Sequence, residues 1–182
     1  VDSLMHKMIR VSSNTASTAL IDMVGYDKIS SVLQDKQYQL YNKDKKGGLW
    51  VGKRYAAGGL RNPDPIMGIS HAATVSQVCR FYYLLAYGKL INCARSEQML
   101  DYLIDPHLHH KFVFTLDKLA PDADIYRKSG TWKQFHADSV MVIGDEWRSY
   151  IVVALIESNS GEAIMRELLM EVDQLLHAFN IN

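Results

Sequence analysis

The chain has 182 residues, enough for one domain of ordinary size and cramped for two. Apolar residues make up 48% and charged residues 22%, the balance of a packed globule, which excludes a disordered tail. Lys plus Arg is 20 and Asp plus Glu is 20, so net charge gives no reason to expect nucleic acid or an acidic membrane as partner.

The longest apolar runs, Phe81–Tyr87 and Tyr150–Ile156, fall far short of the roughly 18 residues that a transmembrane helix needs, so no membrane span is expected. Cys79 and Cys93 are too few for a disulfide framework or a zinc site of familiar spacing, and both read as buried helical thiols.

From Val1 the chain reads directly as a helix over 2–9, with Leu4, Met5, Met8 and Ile9 on one face. A polar break, Val11-Ser12-Ser13-Asn14-Thr15, separates it from a second helix marked by Ala16, Ala19, Leu20 and Met23 and stopped by Gly25. A third short helix covers 26–33 and buries Ile29, Val32 and Leu33. The stretch 34–61 changes character. Seven Lys and Arg face only Asp35 and Asp44, and glycines recur at 47, 48, 52, 58 and 59. This predicts a long irregular loop, closed by Pro63-Asp64-Pro65 and pinned by Tyr41, Trp50 and Tyr55. Cations interleaved with aromatics also occur in nucleic-acid sites, but no stacking module surrounds these, and no nucleic-acid partner is expected.

Helical spacing returns over 71–87, with Val75, Val78, Phe81, Tyr82 and Leu85 on one side, and again over 96–104, where Ser96 or a neighbour serves as cap. The texture then switches to Val, Ile, Tyr and Trp, predicting strands over 125–132, 135–143 and 147–157. Gly144-Asp145-Glu146 reads as a tight hairpin between the last two. An amphipathic helix over 161–179 closes the chain, its stripe being Ile164, Leu168, Val172, Leu175 and Phe179, with Asn159 or Ser160 as cap.

Two short motifs flank the change of texture. One is Ser12-Ser13-Asn14 at the break between helices; the other is Lys128-Ser129-Gly130-Thr131 in the first long strand. Each is weak alone, since Asn14 could cap a helix and a strand lysine is usually a solvated edge charge. With their flanks they say more. Met8-Ile9-Arg10-Val11-Ser12-Ser13-Asn14-Thr15-Ala16, followed by Leu20-Ile21-Asp22, resembles the Ser-Asp-Asn segment of class A β-lactamases. Lys128-Ser129-Gly130-Thr131, a strand pair and a final helix resemble the Lys-Thr-Gly strand and C-terminal elements of that superfamily, which includes the penicillin-binding D,D-peptidases.

The resemblance implies an α+β fold of the three-layer β-lactamase type, incomplete at its N-terminus. It further implies a single partial domain over 1–182, with a mostly helical region over 1–115 (holding the long loop 34–65) and antiparallel strands plus a C-terminal helix over 116–182. It also implies chemistry. Lys128 with the hydroxyls of Ser129 and Thr131 would anchor a substrate carboxylate. Ser12 would relay a proton to the leaving nitrogen, kept polarised by Lys128, and Asn14 would hold the substrate's side-chain amide. Gly130 completes the strand motif, and the backbone N–H of Thr131 would supply half of an oxyanion hole.

The departures are as informative. No lysine here has a serine three residues before it, so the Ser-x-x-Lys segment that carries the family nucleophile and its base is absent from this sequence. The resemblance thus implies an inactive chain by itself, completed by a missing N-terminal segment or a second chain. Ser13 replaces an aspartate that braces the loop, and Ser129 replaces a threonine with its hydroxyl kept. No glutamate occurs between Tyr26 and Arg95, where the family carries the one that activates the deacylating water; 47–53 reads Gly-Gly-Leu-Trp-Val-Gly-Lys instead. Asp44 fits no such pattern, and Asp64 between two prolines reads as a turn residue.

The expected function is therefore that of a serine acyl-enzyme hydrolase acting on β-lactams or D-Ala-D-Ala-like cell-wall peptides, with deacylation slow. The alternative is a non-catalytic interaction module that keeps the fold. The resemblance implies no cofactor, no metal, and a periplasmic or extracellular location. His107-Leu108-His109-His110 lacks supporting carboxylates or cysteines and reads as a surface loop. His136, two residues from Asp138 on one strand face, reads as a supporting or surface residue rather than a general base. Met5, Met8, Met165 and Met170 read as core filler.

Overall fold

The computed structural model describes residues 1–56, 58–145 and 147–180, in two compact units, Val1–Tyr102 and Leu103–Asn182. The first unit holds α1 (Asp2–Arg10), α2 (Asn14–Val24), α3 (Tyr26–Leu33), four two-residue strands and two longer helices, α4 (Val75–Ala86) and α5 (Cys93–Leu103, ending just past the boundary). Gly25 stops α2 as expected. Its φ of +79° is cheap for glycine, and its N–H closes on the Ile21 carbonyl at 2.8 Å. Tyr102 bonds its hydroxyl to Asp2 at 2.6 Å, tying the end of α5 to the start of α1.

The stretch expected to be an irregular loop is more ordered than that. β1 (Tyr41–Asn42) pairs with β2 (Gly47–Gly48) around a 3-10 turn, and β3 (Trp50–Val51) pairs with β4 (His71–Ala72). Tyr41 and Trp50 are buried with ring centroids 4.8 Å apart, and the Trp50 indole N–H donates to the Asn62 carbonyl at 2.7 Å. Of the aromatics among those cations, Tyr41 and Trp50 thus build core, whereas Tyr55 is exposed and stacks on His71. Because His71 and Ala72 belong to a strand, α4 starts later than its periodicity suggested, capped by Thr74, whose hydroxyl accepts from the Gln77 N–H. Likewise α5 begins at Cys93, with Asn92 accepting from the Arg95 N–H at 2.9 Å; Ser96 is buried and bonded to Leu90 instead. Neither cysteine is buried: Cys79 is half-buried in α4 and Cys93 is exposed.

In the second unit, α6 (Phe112–Leu119) precedes β5 (Asp124–Trp132), β6 (Phe135–Ile143), β7 (Ser149–Glu157) and α7 (Gly161–Asn180). The three strands form an antiparallel sheet in the order β5-β6-β7. One face of this sheet packs Val140, Val142 and Ala154 against Phe112 and Leu116 of α6 and Met165 and Leu169 of α7. Sequence periodicity did not reveal α6, which is only eight residues long. β7 starts at Ser149 rather than Trp147, because Arg148 leaves the strand to pair with buried Asp173. Of the predicted hairpin residues, Gly144 and Asp145 lie in the connection, and Glu146 lies outside the described residues.

The stripe predicted for α7 is not its buried face. Gly161, Met165, Leu169 and Asp173 point inward, while Ile164, Leu168, Leu175 and Phe179 are exposed. Both rows recur at helical spacing and carry apolar residues, Met165 and Leu169 on the inward one. The choice falls to Gly161, against which the His136 ring packs (a Cβ there would sit 2.6 Å from it), and to Asp173, held by Arg148 and by the Tyr150 hydroxyl at 2.8 Å. Met165 is core filler as expected, but Met170 is exposed and Met5 and Met8 are only half-buried.

Candidate active site

The first unit presents Ser12 and Asn14 at the turn between α1 and α2. Ser12 is half-buried with φ +53°, a left-handed backbone that costs a non-glycine residue about 1–2 kcal/mol. The turn holds it there. Ser13 donates its N–H to the Lys7 carbonyl at 3.0 Å and accepts the Ala16 N–H on its hydroxyl at 3.2 Å. Ser13 is therefore the cap of α2, which accounts for serine standing where a bracing residue is needed. Asn14 is the first helical residue, exposed, and does not cap.

Asp44 is exposed. Asp64 is buried and accepts the backbone N–H groups of Ile66 at 3.1 Å and Met67 at 2.6 Å, a turn residue as expected. Burial alone would raise its carboxyl, but the pull of the Met67 N–H, the Tyr41 side chain and the Ile66 N–H together outweighs that and holds it below the ordinary value.

The second unit brings Lys128, Ser129, Gly130 and Thr131 together on β5, an outer strand of the sheet. Lys128 and Ser129 are half-buried; Gly130 and Thr131 are exposed. A bridge between Ile104 and Tyr126 covers the start of this edge and stops before Lys128. The Lys128 ammonium donates to the Ser129 carbonyl at 2.6 Å. Its pKa is pushed down to about 8 by burial, then by the charges of Arg127 and Lys111, against the pull of Asp138.

Those three neighbours are the residues that sequence reasoning did not assign. Arg127 and Asp138 form a buried bidentate pair, Nε to Oδ1 at 2.7 Å and the second arm to Oδ2 at 2.9 Å. Arg127 also donates to the carbonyls of Leu108 at 2.6 Å and His110 at 3.2 Å, so the histidine-rich loop scaffolds this cation. Asp138 accepts further from the N–H groups of Phe112 and Ser139. Lys111 is fully buried, and its ammonium reaches the Gly130 carbonyl at 2.7 Å, the Thr131 hydroxyl at 2.8 Å and the Ala137 carbonyl at 3.1 Å. Its backbone is also left-handed, at φ +55°. Such strain costs about 1–3 kcal/mol and persists only where the surroundings over-determine it. A polar Asp-Ser inside the otherwise apolar run of β6 was the one sequence signal for this network; nothing marked Lys111. His136 is half-buried against Gly161 and does not pair with Asp138.

Around the strand motif stand Lys111, Arg127 and Lys128, with Asp138 paired to Arg127 and the charge of Glu162 acting on Lys111. Such a site has surplus positive charge beside exposed hydroxyl and backbone donors, an arrangement suited to a small carboxylate.

The comparisons with known proteins bear on the family and the fold. The profile of the beta-lactamase enzyme family matches residues 1–178. Among solved structures, a beta-lactamase from Sphaerobacter thermophilus DSM 20745 superposes with a TM-score of 0.72 at 18% identity, over 96% of this chain and 62% of that one. A variant of PBP-A, as its acyl-enzyme complex with penicillin G, gives 0.68 at 17% identity, over 97% and 61%. The TLA-3 extended-spectrum beta-lactamase gives 0.66 at 14% identity, over 96% and 64%. The chain thus spans less than two thirds of the length of these structures. No curated protein sequence matches it. The fold is that of the beta-lactamases, and the chain belongs to the beta-lactamase enzyme family.

Proposed function

We propose that the complete protein is a serine acyl-enzyme hydrolase of the β-lactamase and penicillin-binding type, acting on β-lactams or D-Ala-D-Ala-like peptides. The observation that carries this is the surplus of positive charge on the β5 edge at Lys128-Ser129-Gly130-Thr131. Lys128, Ser129 and Thr131 would take the substrate carboxylate, and Asn14 its side-chain amide. A serine from a Ser-x-x-Lys segment, in the same protein or in a second chain, gives its hydroxyl proton to the lysine of that segment and forms the bond to the lactam carbonyl carbon. The C–N bond breaks, and Ser12 passes a proton to the departing nitrogen, while the Thr131 N–H faces the oxyanion. A segment completing the fold would also cover the apolar residues that α7 exposes, Ile164, Leu168, Leu175 and Phe179. Enzymes of this type meet their substrates outside the cytoplasm, which makes the periplasm or cell exterior the proposed location.

Acylation should outrun deacylation. The position of the water-activating glutamate is taken by a glycine-rich stretch, and Asp64 Oδ2 is engaged by the backbone N–H groups of Ile66 and Met67. Mixing the complete protein with penicillin G and following intact mass should show a long-lived adduct, formed more slowly by Lys128→Ala. Rapid turnover without adduct would refute slow deacylation; neither adduct nor turnover would refute the hydrolase. The absence of a Ser-x-x-Lys motif from this sequence favours a second reading, a non-catalytic module. That reading requires the complete protein to lack this motif as well.

A further inference from the structure

We propose that Lys111 is a positioning residue that aims both the hydroxyl and the backbone N–H of Thr131 at the substrate, an assignment that rests on the hydrolase reading above. An ammonium group has three protons to donate. Lys111 has three acceptors: the Gly130 carbonyl at 2.7 Å, the Thr131 hydroxyl at 2.8 Å and the Ala137 carbonyl at 3.1 Å. With the side chain fully buried and every proton used, Lys111 has nothing left to offer a ligand directly. Its effect passes through its acceptors.

Two consequences arise from elementary geometry. The Thr131 oxygen receives a charge-assisted N–H on one lone pair, so its own proton must leave in another direction, and Thr131 is exposed. A hydroxyl that could otherwise accept or donate becomes a directed donor, which suits a carboxylate and disfavours a ligand cation. The second consequence concerns the peptide between Gly130 and Thr131. It is trans and planar, so its C=O and N–H point in opposite directions. Lys111 holds the Gly130 carbonyl, and the Thr131 N–H is thereby turned away from Lys111 and fixed in azimuth.

The surroundings clamp Lys111 in turn. It stands between His110, whose carbonyl accepts from Arg127, and Phe112, whose N–H donates to Asp138. The left-handed backbone at Lys111 is what lets its side chain run under the strand end rather than into solvent.

The test is a double-mutant cycle in the complete protein, read as the acylation rate with penicillin G. Lys111→Met keeps the aliphatic stem and removes all three donors; Thr131→Val removes the hydroxyl. Each should slow acylation by about tenfold or more, the effect of losing a hydrogen bond to a charged group. Because part of the effect of Lys111 passes through the hydroxyl that Thr131→Val removes, the double variant should be clearly less impaired than the product of the two. A multiplicative cycle, or a Lys111→Met that lowers the melting temperature and leaves acylation unchanged, would overturn the assignment. Should Lys111→Met not fold, the Nζ resonance of Lys111 in 15N-lysine-labelled protein serves instead. It should shift on addition of penicillin G to wild type and by clearly less in Thr131→Val, where the Gly130 carbonyl alone still links Lys111 to the oxyanion N–H; equal behaviour in both would overturn the assignment. A wild type that penicillin G neither acylates nor binds refutes the hydrolase reading itself, a result distinct from an acylated wild type with a multiplicative cycle.

Discussion

Asp138→Asn would strand a guanidinium that the fold has already taken out of water. The side chains of Arg127 and Asp138 are 2% and 0% exposed, and the carboxylate accepts both arms of the guanidinium as well as the N–H groups of Phe112 and Ser139. Breaking a buried pair by removing one charge costs about 3–5 kcal/mol, because the partner stays buried and uncompensated. Carbonyls of Leu108 and His110 still receive Arg127, which argues for the lower half of that range. For a chain of this size, about 2–4 °C of melting temperature goes with each kcal/mol, so calorimetry at pH 7 should show a drop on the order of 6–16 °C. The double variant Arg127→Met/Asp138→Leu removes both charges and should lie much closer to wild type than the single one. Asp138→Asn also removes the charge that pulls the Lys128 pKa upward, so carboxylate binding should be lost at lower pH than in wild type. A single variant within 1 kcal/mol of wild type, or a double variant as damaged as the sum of its components, would refute the reasoning.

Lys128 makes a prediction of its own. Its pKa falls from 10.5 to about 8 in the folded chain, so between those values the unfolded chain binds more protons and stability rises with pH. Denaturant titrations from pH 7 to 10.5 should show that rise in wild type and its loss in Lys128→Met, whereas penicillin acylation should fall above about pH 8 as the ammonium is lost. At Ser12 the left-handed backbone (φ +53°) makes Ser12→Gly more stable than Ser12→Ala by about 1–2 kcal/mol in urea melts, although both remove the relay hydroxyl. An alanine variant as stable as the glycine variant would show that the turn relaxes.

Where one face of the chain was decisively apolar, the pattern alone was enough. β6 at Phe135–Ile143 lies where its periodicity put it, α3 keeps its bounds at Tyr26–Leu33 although Ile29 and Leu33 are only half-buried and Val32 is exposed, and the Ser12-Ser13-Asn14 and Lys128-Ser129-Gly130-Thr131 motifs lie on the predicted turn and strand. Local chemistry suffices for such elements, since a glycine stop, a serine cap or strict alternation acts within a few residues of itself. It does not suffice where two outcomes are locally equal. α7 carries two rows with apolar residues, and only the fit of Gly161 to His136 and of Asp173 to Arg148 and Tyr150 decides which is buried. α6 is no longer than α3, and its buried Phe112, Val113 and Leu116 find their partners only in the tertiary structure, where α6 packs on the sheet and α7. The environment of the strand motif belongs to the same class. The sequence by itself determined that Lys128, Ser129 and Thr131 would share one strand. Tertiary structure decided that Lys111, Arg127 and Asp138 would gather behind it, because the charge balance and hydrogen-bond directions of a buried network are properties of residues far apart in the chain, and no local pattern encodes them.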